Sequence, residues 1–147
     1  MVACIMGELK TVDLICREAQ KRLNPDSFNQ FINIKVAREM GGNNALLYAC
    51  TSSKENNVRI VNYLIQVAGA DANANNDHNI GCALIAAKKA QLPVLALLLQ
   101  KGIDIGCVDK NGCNALHIAT ASGSYEMVEK LLMHWSLTNI KRRKKRR

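Results

Sequence analysis

The chain has 147 residues, 48% of them hydrophobic but only 4% aromatic, so it can bury a core but lacks the side chains that β-sandwiches and barrels favour. The net charge is +8, but the last seven residues, KRRKKRR, are all basic, and positions 1–140 are nearly neutral. No run approaches the roughly 20 apolar residues of a membrane-spanning helix.

The amino-terminal positions 1–6 are mostly apolar, but Glu8 and Lys10 end this run before a secretory signal core could form. The six cysteines therefore give no sign of an extracellular disulfide framework. Cys50, Cys82 and Cys113 lie in or beside small-residue helix positions, where a free thiol acts as a small hydrophobe. We expect reduced cysteines and a cytoplasmic or nuclear location.

An Ala-Leu pair recurs three times along the chain, and a pair of large aliphatic residues follows each copy. The first pairs are Ala45-Leu46, Ala83-Leu84 and Ala115-Leu116, and the later pairs are Leu64-Ile65, Leu98-Leu99 and Leu131-Leu132. The later pairs are almost evenly spaced, whereas the first spacing between Ala-Leu pairs is somewhat longer than the second. Their period is about 33 residues, which is typical of a solenoid unit made of a turn and two helices.

Each unit is predicted to begin with a short helix of small and apolar residues. These helices are ALLYAC at 45–50, ALIAAKKA at 83–90 and ALHIATA at 115–121. Asn44 and Asn114 directly precede two of them and are good N-caps, because an Asn side chain accepts a hydrogen bond from an otherwise unpaired amide. Cys82 stands in that place in the middle unit and would cap poorly.

A second helix follows in each unit, with apolar residues at helical spacing. Pro93 suits the first turn of its helix, and Gly69 and Gly102 are expected to end theirs. A polar stretch at 51–60 predicts an extended loop between the two helices of the first unit. Asp, Asn and Gly cluster at 69–79 and 102–112, where turns should connect the units.

These units resemble ankyrin repeats, whose pattern is roughly D-x-x-G-x-T-P-L-H-x-A-A-x-x-G-H-x-x-x-V-x-x-L-L-x-x-G-A-x-x-N. The last unit carries Asp109, Gly112, Ala115-Leu116-His117, Ala119, Gly123, Val128, Leu131-Leu132 and Asn139; the first carries Gly42, Leu46, Ala49, Val61, Leu64-Ile65, Gly69-Ala70-Asp71 and Asn73; the middle carries Asp77, Leu84, Ala87, Leu98-Leu99 and Gly102. The resemblance implies an all-α solenoid of stacked helix-turn-helix units joined by hairpin-like turns.

The resemblance also divides the chain. Positions 39–140 would form three repeats, and 141–147 a disordered basic tail. Positions 1–38 would hold a partial repeat and an extended loop, because 3–16 match only the later part of the pattern and the first helix would be missing. A terminal repeat of a solenoid needs a polar outer face, and a repeat that lacks its first helix has none. This leads to the hypothesis that the chain is a fragment of a larger ankyrin protein.

The resemblance implies a non-enzymatic adaptor or inhibitor that binds a protein partner on the concave face of the stack. The variable contact positions of the family fall here on Asn43, Thr51, Ser52, His78, Asn79, Lys89, Lys110, Asn111, Cys113 and Ser122. No catalytic motif is present, and Cys107, Cys113 and His117 lack the close paired spacing of a zinc site. We therefore expect no catalytic residues, metal or cofactor.

The basic tail leaves other functions open. Its seven cations are Lys141, Arg142, Arg143, Lys144, Lys145, Arg146 and Arg147. Such a run is typical of a nuclear localisation signal read by an import receptor, and it can also bind nucleic acid or an anionic membrane. The alternative hypothesis is therefore a repeat platform that its tail recruits to nucleic acid or a membrane.

Overall fold

The computed structural model describes the backbone of residues 1–145 and the side chains of residues 1–136. The described residues form nine α-helices and one 3-10 turn, Arg38–Met40. The helices are α1 (Val2–Met6), α2 (Leu9–Arg22), α3 (Pro25–Asn33), α4 (Ala45–Thr51), α5 (Asn57–Gln66), α6 (Cys82–Lys88), α7 (Leu92–Gln100), α8 (Ala115–Ala121) and α9 (Tyr125–Lys145).

The helices pack in two rows. The short helices α1, α4, α6 and α8 contact one another in that order and form the inner row. The longer helices α2, α5, α7 and α9 do the same in the outer row, and each inner helix also contacts the outer helix that follows it. The predicted all-α solenoid of stacked units is confirmed.

Asparagine caps begin two of the inner helices, as predicted. The Asn44 side chain accepts a hydrogen bond from the Leu47 amide, and Asn114 accepts one from the His117 amide. His117 Nδ1 in turn accepts from the Asn114 amide, which completes a capping box. In the middle unit Cys82 is the first helical residue and Gly81 is the N-cap, so the placement of Cys82 at the cap was wrong.

The core lies between the two rows. Small residues at one position of α4, α6 and α8, which are Ala49, Ala86 and Ala119, are fully buried and let neighbouring helices approach closely. Large aliphatic residues of the outer helices, such as Leu64 and Leu98, fill the remaining space. The apolar periodicity seen in the sequence therefore marks the faces that the two rows bury against each other.

The amino-terminal unit differs from the expectation in two ways. Val2–Met6 is a short helix that packs on α4 in the inner row, so the first helix of this unit is present rather than missing. Pro25–Asn33 forms α3, where the sequence led us to expect an extended loop. The reason is local: Asn24 caps α3 by accepting a bond from the Ser27 amide, and Pro25 occupies the first turn.

The loop between α4 and α5 is shorter than the predicted stretch 51–60. Thr51 still belongs to α4, and α5 begins at Asn57. The buried Asn57 side chain donates hydrogen bonds to the Ser52 carbonyl at 2.6 Å and to Gln91 at 3.1 Å. Because Gln91 belongs to the next unit, this pair of bonds ties together the loops of two successive units.

The last outer helix continues into the basic segment. The backbone of α9 is helical to Lys145, whereas the sequence predicted disorder from Lys141. Lys and Arg are good helix formers, and cations near a helix C-terminus interact favourably with the helix dipole. Arg146 and Arg147 lie outside the described residues.

Candidate partner-binding surface

The turns before α6 and α8 have the same hydrogen-bond pattern, one repeat apart. Asn76 Oδ1 accepts bonds from the backbone amides two and four positions later, at 2.9 and 3.0 Å. Asp109 Oδ1 accepts from the corresponding amides at 2.8 and 2.9 Å. Asn79 and Gly112, with φ of 59° and 76°, close the two turns in the left-handed region. The residues at each tip, 77–78 and 110–111, are exposed.

This pattern corrects the alignment of the middle unit. Asn76, rather than Asp77, occupies the position of the family's turn aspartate. The same offset continues through the inner helix, so Cys82-Ala83, rather than Ala83-Leu84, corresponds to Ala115-Leu116. The error arose because the middle unit has Ala in place of the usual Leu, and the next residue happens to be a Leu.

Asparagine side chains link each turn to the next. Asn33 Oδ1 accepts a bond from the Asp71 amide at 2.9 Å, and Asn73 Oδ1 accepts from the Asp104 amide at 3.1 Å. Two further bonds run from Asn76 to Asn43 Oδ1 and from Asn79 to the Val108 carbonyl. These bonds hold the exposed tips in a fixed row.

The structure places most of the predicted contact residues on one surface, formed by the turn tips and the ends of the inner helices; we call it the inner surface. Asn43, Thr51 and Cys113 are half-buried. The exposed members are His78, Asn79, Lys89, Lys110, Asn111 and Ser122.

Two of the predicted contact residues have structural roles. Ser52 is buried, and its hydroxyl donates a hydrogen bond to the Ile5 carbonyl at 2.8 Å. It cannot offer a surface to a partner, because the loop after α4 folds back over α1. Asn79 is exposed, but it closes a turn and donates to the next turn, as described above.

A shallow depression of about 420 Å³ lies at the tips of the turns. Arg38, Asp77, His78 and Lys110 line it. The structure thus brings together the predicted residues His78 and Lys110 with two that the sequence analysis missed. Asp77 could have been found, since it lies one repeat before Lys110. Arg38 could not, because it stands in a 3-10 turn outside the repeat pattern.

Four of the cysteines show no sign of activation. Burial raises the pKa of the Cys4, Cys16 and Cys107 thiols. A hydrogen bond with Cys82, together with burial, holds the pKa of Cys50 well above its usual value. Thiolates are therefore disfavoured at these four positions. Among the described residues, no three His, Cys, Asp or Glu side chains lie close enough together to hold a metal ion.

In the sequence, the basic tail follows all the residues of the inner surface. Its backbone to Lys145 is part of α9, while the side chains of Lys141–Arg147 lie outside the described residues. None of the helices in the described part of the chain is both long and apolar enough to cross a bilayer.

Comparison with known proteins supports the repeat assignment. The family model for ankyrin repeats (3 copies) matches residues 46–143, about two thirds of the chain. Ankyrin repeat domain-containing protein 29 of Danio rerio is 43% identical over 58 residues. That match covers 39% of this chain and 20% of the length of the zebrafish protein.

Proposed function

This chain belongs to the ankyrin-repeat family, and from that premise we propose that it is a non-enzymatic module that binds a partner protein through its inner surface, as an adaptor or inhibitor. Ankyrin repeats are generally protein–protein interaction modules. The finer statement, which surface binds and to what effect, is the proposal. A module of this kind acts by occupying its partner.

One observation carries the proposal. The exposed residues of the turn tips and inner-helix ends recur at equivalent positions on a stack of hydrogen-bonded turns, so a partner meets a surface that is already ordered. Pre-ordering lowers the conformational entropy lost on binding. The predicted contact residues include no Trp, Tyr or Arg, the usual anchors of tight interfaces, which suggests that the partner supplies the large anchoring side chains.

Site-specific photo-crosslinking tests the proposal. A photoreactive amino acid is placed at Lys89 or Asn111 on the inner surface, or at Asn62 or Glu129 on exposed positions of the outer helices as matched controls. We expect the inner positions to capture the same discrete protein in cells and the outer positions to capture it weakly or not at all. Equal capture from both faces, or capture from the outer helices alone, would contradict the proposal.

The seven consecutive cations favour a second proposal for the tail. We propose that Lys141–Arg147 is a nuclear address read by an import receptor, with nucleic acid or an anionic membrane as weaker alternatives. A fluorescently tagged chain should accumulate in the nucleus and lose that accumulation when residues 141–147 are deleted. If the deletion leaves the distribution unchanged, the tail is not a nuclear localisation signal. Tail-driven binding to nucleic acid would instead fall steeply as the salt concentration rises.

A further inference from the structure

Equivalent hydrogen bonds fix which residues correspond at the ends of three inner helices. The amides of Glu8, Gln91 and Ser124 each donate to the carbonyl five positions earlier, at 3.0, 2.8 and 3.2 Å. The next residue in each case also bonds back to the carbonyl two positions before it. The turns after α1, α6 and α8 are therefore the same structure with different side chains.

This correspondence sets the side chains of the inner surface in order along the stack. The last two positions before the turn are Ile5 and Met6 in the amino-terminal unit, Lys88 and Lys89 in the middle unit, and Ala121 and Ser122 in the last unit. All six residues are exposed. Along one line, the surface changes from large apolar groups to cations and then to small groups, with the half-buried Thr51 and the buried Ser52 of α4 and its C-cap between the first two sets.

The inner helices offer the cations of this line no acidic partner. The helices α1, α4, α6 and α8 contain no acidic residue. Among the described residues, the ion pairs within 4.0 Å all lie on α2, so Lys88, Lys89, Arg38 and Lys110 take part in none. On the inner surface, Lys88 and Lys89 thus present positive charge without an ion pair, on the same line as the exposed apolar side chains of Ile5 and Met6.

The turns do contain carboxylates, and three of the aspartates have partners within their own turns. Asp71, Asp104 and Asp109 each accept a hydrogen bond from a backbone amide of their own turn. Asp77 lies against Gly42 of the preceding turn, where an added Cβ would overlap its carboxyl group. These groups build the turns, and none of them forms an ion pair with Lys88 or Lys89 among the described residues.

The packing sets the distance between the apolar and the basic groups. Helices α1 and α4, and α4 and α6, are in contact, and packed helices lie about 8–10 Å apart. Two such steps separate Ile5-Met6 from Lys88-Lys89 by about 16–20 Å. An extended chain spans that distance with about five or six residues, at roughly 3.3–3.6 Å each.

We propose that the inner surface recognises an extended acidic segment of the partner protein, with one or two large apolar side chains about five or six positions away from the acidic cluster. Met6 and Ile5 contact the apolar side chains, and Lys88 and Lys89 pair with the carboxylates. This inference rests on the proposed function, because it names the partner chemistry of the same surface.

A designed peptide tests the chemistry without knowledge of the natural partner. It carries two Leu, a five-residue Gly/Ser spacer and four Glu. One control peptide has Gln in place of Glu, and another has a one-residue spacer. Binding is measured by fluorescence anisotropy against the full-length chain with its seven tail cations replaced by Gln, so that the tail cannot bind the peptide.

We expect measurable binding of the Glu peptide that weakens about tenfold in the double variant Lys88→Gln/Lys89→Gln, since each exposed ion pair contributes about 0.2–1 kcal/mol. The matched control, Lys101→Gln/Lys130→Gln, removes two exposed cations from the outer row and should change the affinity less than about twofold. Equal effects of the two double variants, or equal binding of the Glu and Gln peptides, would overturn the inference.

The proposed contact of Met6 with apolar side chains of the partner is tested separately. Met6→Gln should weaken the Leu-containing peptide but not a peptide with Ser in place of Leu, and the one-residue spacer should remove this difference. Loss of affinity for both peptides alike would overturn the apolar assignment. Thermal melting of every variant shows whether it folds, which is needed because Lys88 also stabilises the C-terminus of α6.

The two proposals fail in different ways. If Lys89 and Asn111 capture a partner in cells while the Glu and Gln peptides bind equally, the inner surface binds a protein but the acidic segment is rejected. If the Glu peptide binds as expected but no protein is captured from either inner position, the surface chemistry holds and the proposed cellular role is rejected.

Discussion

At the scale of single residues, Ala90 stands where glycine would be expected. It has φ of 53°, and Gly7 and Gly123 hold the same place in their units with φ of 77° and 69°. The left-handed conformation costs an L-residue with a Cβ roughly 1–2 kcal/mol. The middle unit therefore holds a strained turn where the amino-terminal and last units have glycine.

Replacing Ala90 with Gly should stabilise the protein by about 0.5–1 kcal/mol, because relief of the strain exceeds the added entropy of the unfolded chain. Urea denaturation followed by circular dichroism measures the change. Ala87→Gly is the control: Ala87 lies inside α6 and is fully buried, so this substitution should destabilise the protein. A loss of stability with Ala90→Gly would contradict the argument.

Tyr63 gives the protein a pH dependence in the alkaline range. Burial, followed by the hydrogen bond to Asp13, raises the pKa of Tyr63 to about 12. In the unfolded chain the pKa of tyrosine is about 10. Because the folded-state pKa is the higher one, the protonated phenol stabilises the fold below pH 10, and this contribution is lost as the pH rises from 10 to 12.

The free energy of unfolding should therefore fall between pH 10 and 12 by more in the wild type than in Tyr63→Phe, which has no phenol to titrate. Denaturation at a series of pH values compares the two proteins. Tyr125→Phe, at an exposed position, serves as the control and should behave like the wild type. Identical curves for the wild type and Tyr63→Phe would contradict the assignment.

Sequence reasoning succeeded for residues whose effect is local. Asn44 and Asn114 cap their helices as predicted, since capping involves only the next few positions. It failed for Ser52, because the hydrogen-bond partner of its hydroxyl is the carbonyl of Ile5, far away in the sequence. Nothing in a stretch of polar loop residues distinguishes the buried Ser52 from the exposed Ser53 beside it.

At the scale of elements, α1 depends on the rest of the molecule. It has 5 residues, whereas isolated helices shorter than about 12 residues are marginal in water. Cys4 is buried in the core, and two side chains from the loop after α4 bond to its end: Ser52 to the Ile5 carbonyl and Asn56 to the Gly7 carbonyl. Tertiary contacts thus replace the intrinsic stability that α1 lacks.

Ser52→Ala should lower the free energy of local unfolding of α1 by about 1 kcal/mol, because it removes a hydrogen bond and leaves the Ile5 carbonyl without its partner. Hydrogen exchange should then be about fivefold faster for the amides of α1, with little change in α7. Ser53→Ala is the matched control, since Ser53 is exposed and adjacent. Unchanged exchange in α1 would show that the serine bond does not hold the helix.

The third helix shows that a local signal can be present and still be missed. Asn24 followed by Pro25 is a typical helix start, and both residues act in that way. The repeat pattern hid this signal, because it assigns no helix between two units. The end of α3 nevertheless supplies Asn33, whose side chain bonds to the Asp71 amide just as Asn73 bonds to the Asp104 amide.

At the scale of the whole molecule, the burial of the side chain at one repeat position shows how the units stack. Leu64, Leu98 and Leu131 are exposed by at most 1%, whereas the corresponding residue of the amino-terminal unit, Ile15, is 45% exposed. At the following position the exposed residue is in the last unit, where Leu132 is 51% exposed. The first position is thus buried where a described unit precedes it, and the second is at least half-buried where a described unit follows it.

The cost of removing the same kind of side chain should therefore depend on its place in the stack. Leu98→Ala should destabilise the protein by about 2–5 kcal/mol, and Ile15→Ala by less than about 1 kcal/mol. Thermal and urea denaturation of both variants give the comparison. Similar losses from the two variants would mean that stacking on the preceding unit does not bury this position.

The sequence by itself determined the family, the pairs of helices and most of the exposed positions on the turn tips and inner-helix ends. These properties follow from hydrophobic periodicity, capping and a regular repeat spacing, which depend on neighbours along the chain and on self-similarity. Only the tertiary structure decided the alignment of the middle unit, the existence of α1, the burial of Ser52 and the grouping of Arg38 with Lys110. Each of these depends on contacts between units that are distant in the sequence, which no local pattern records.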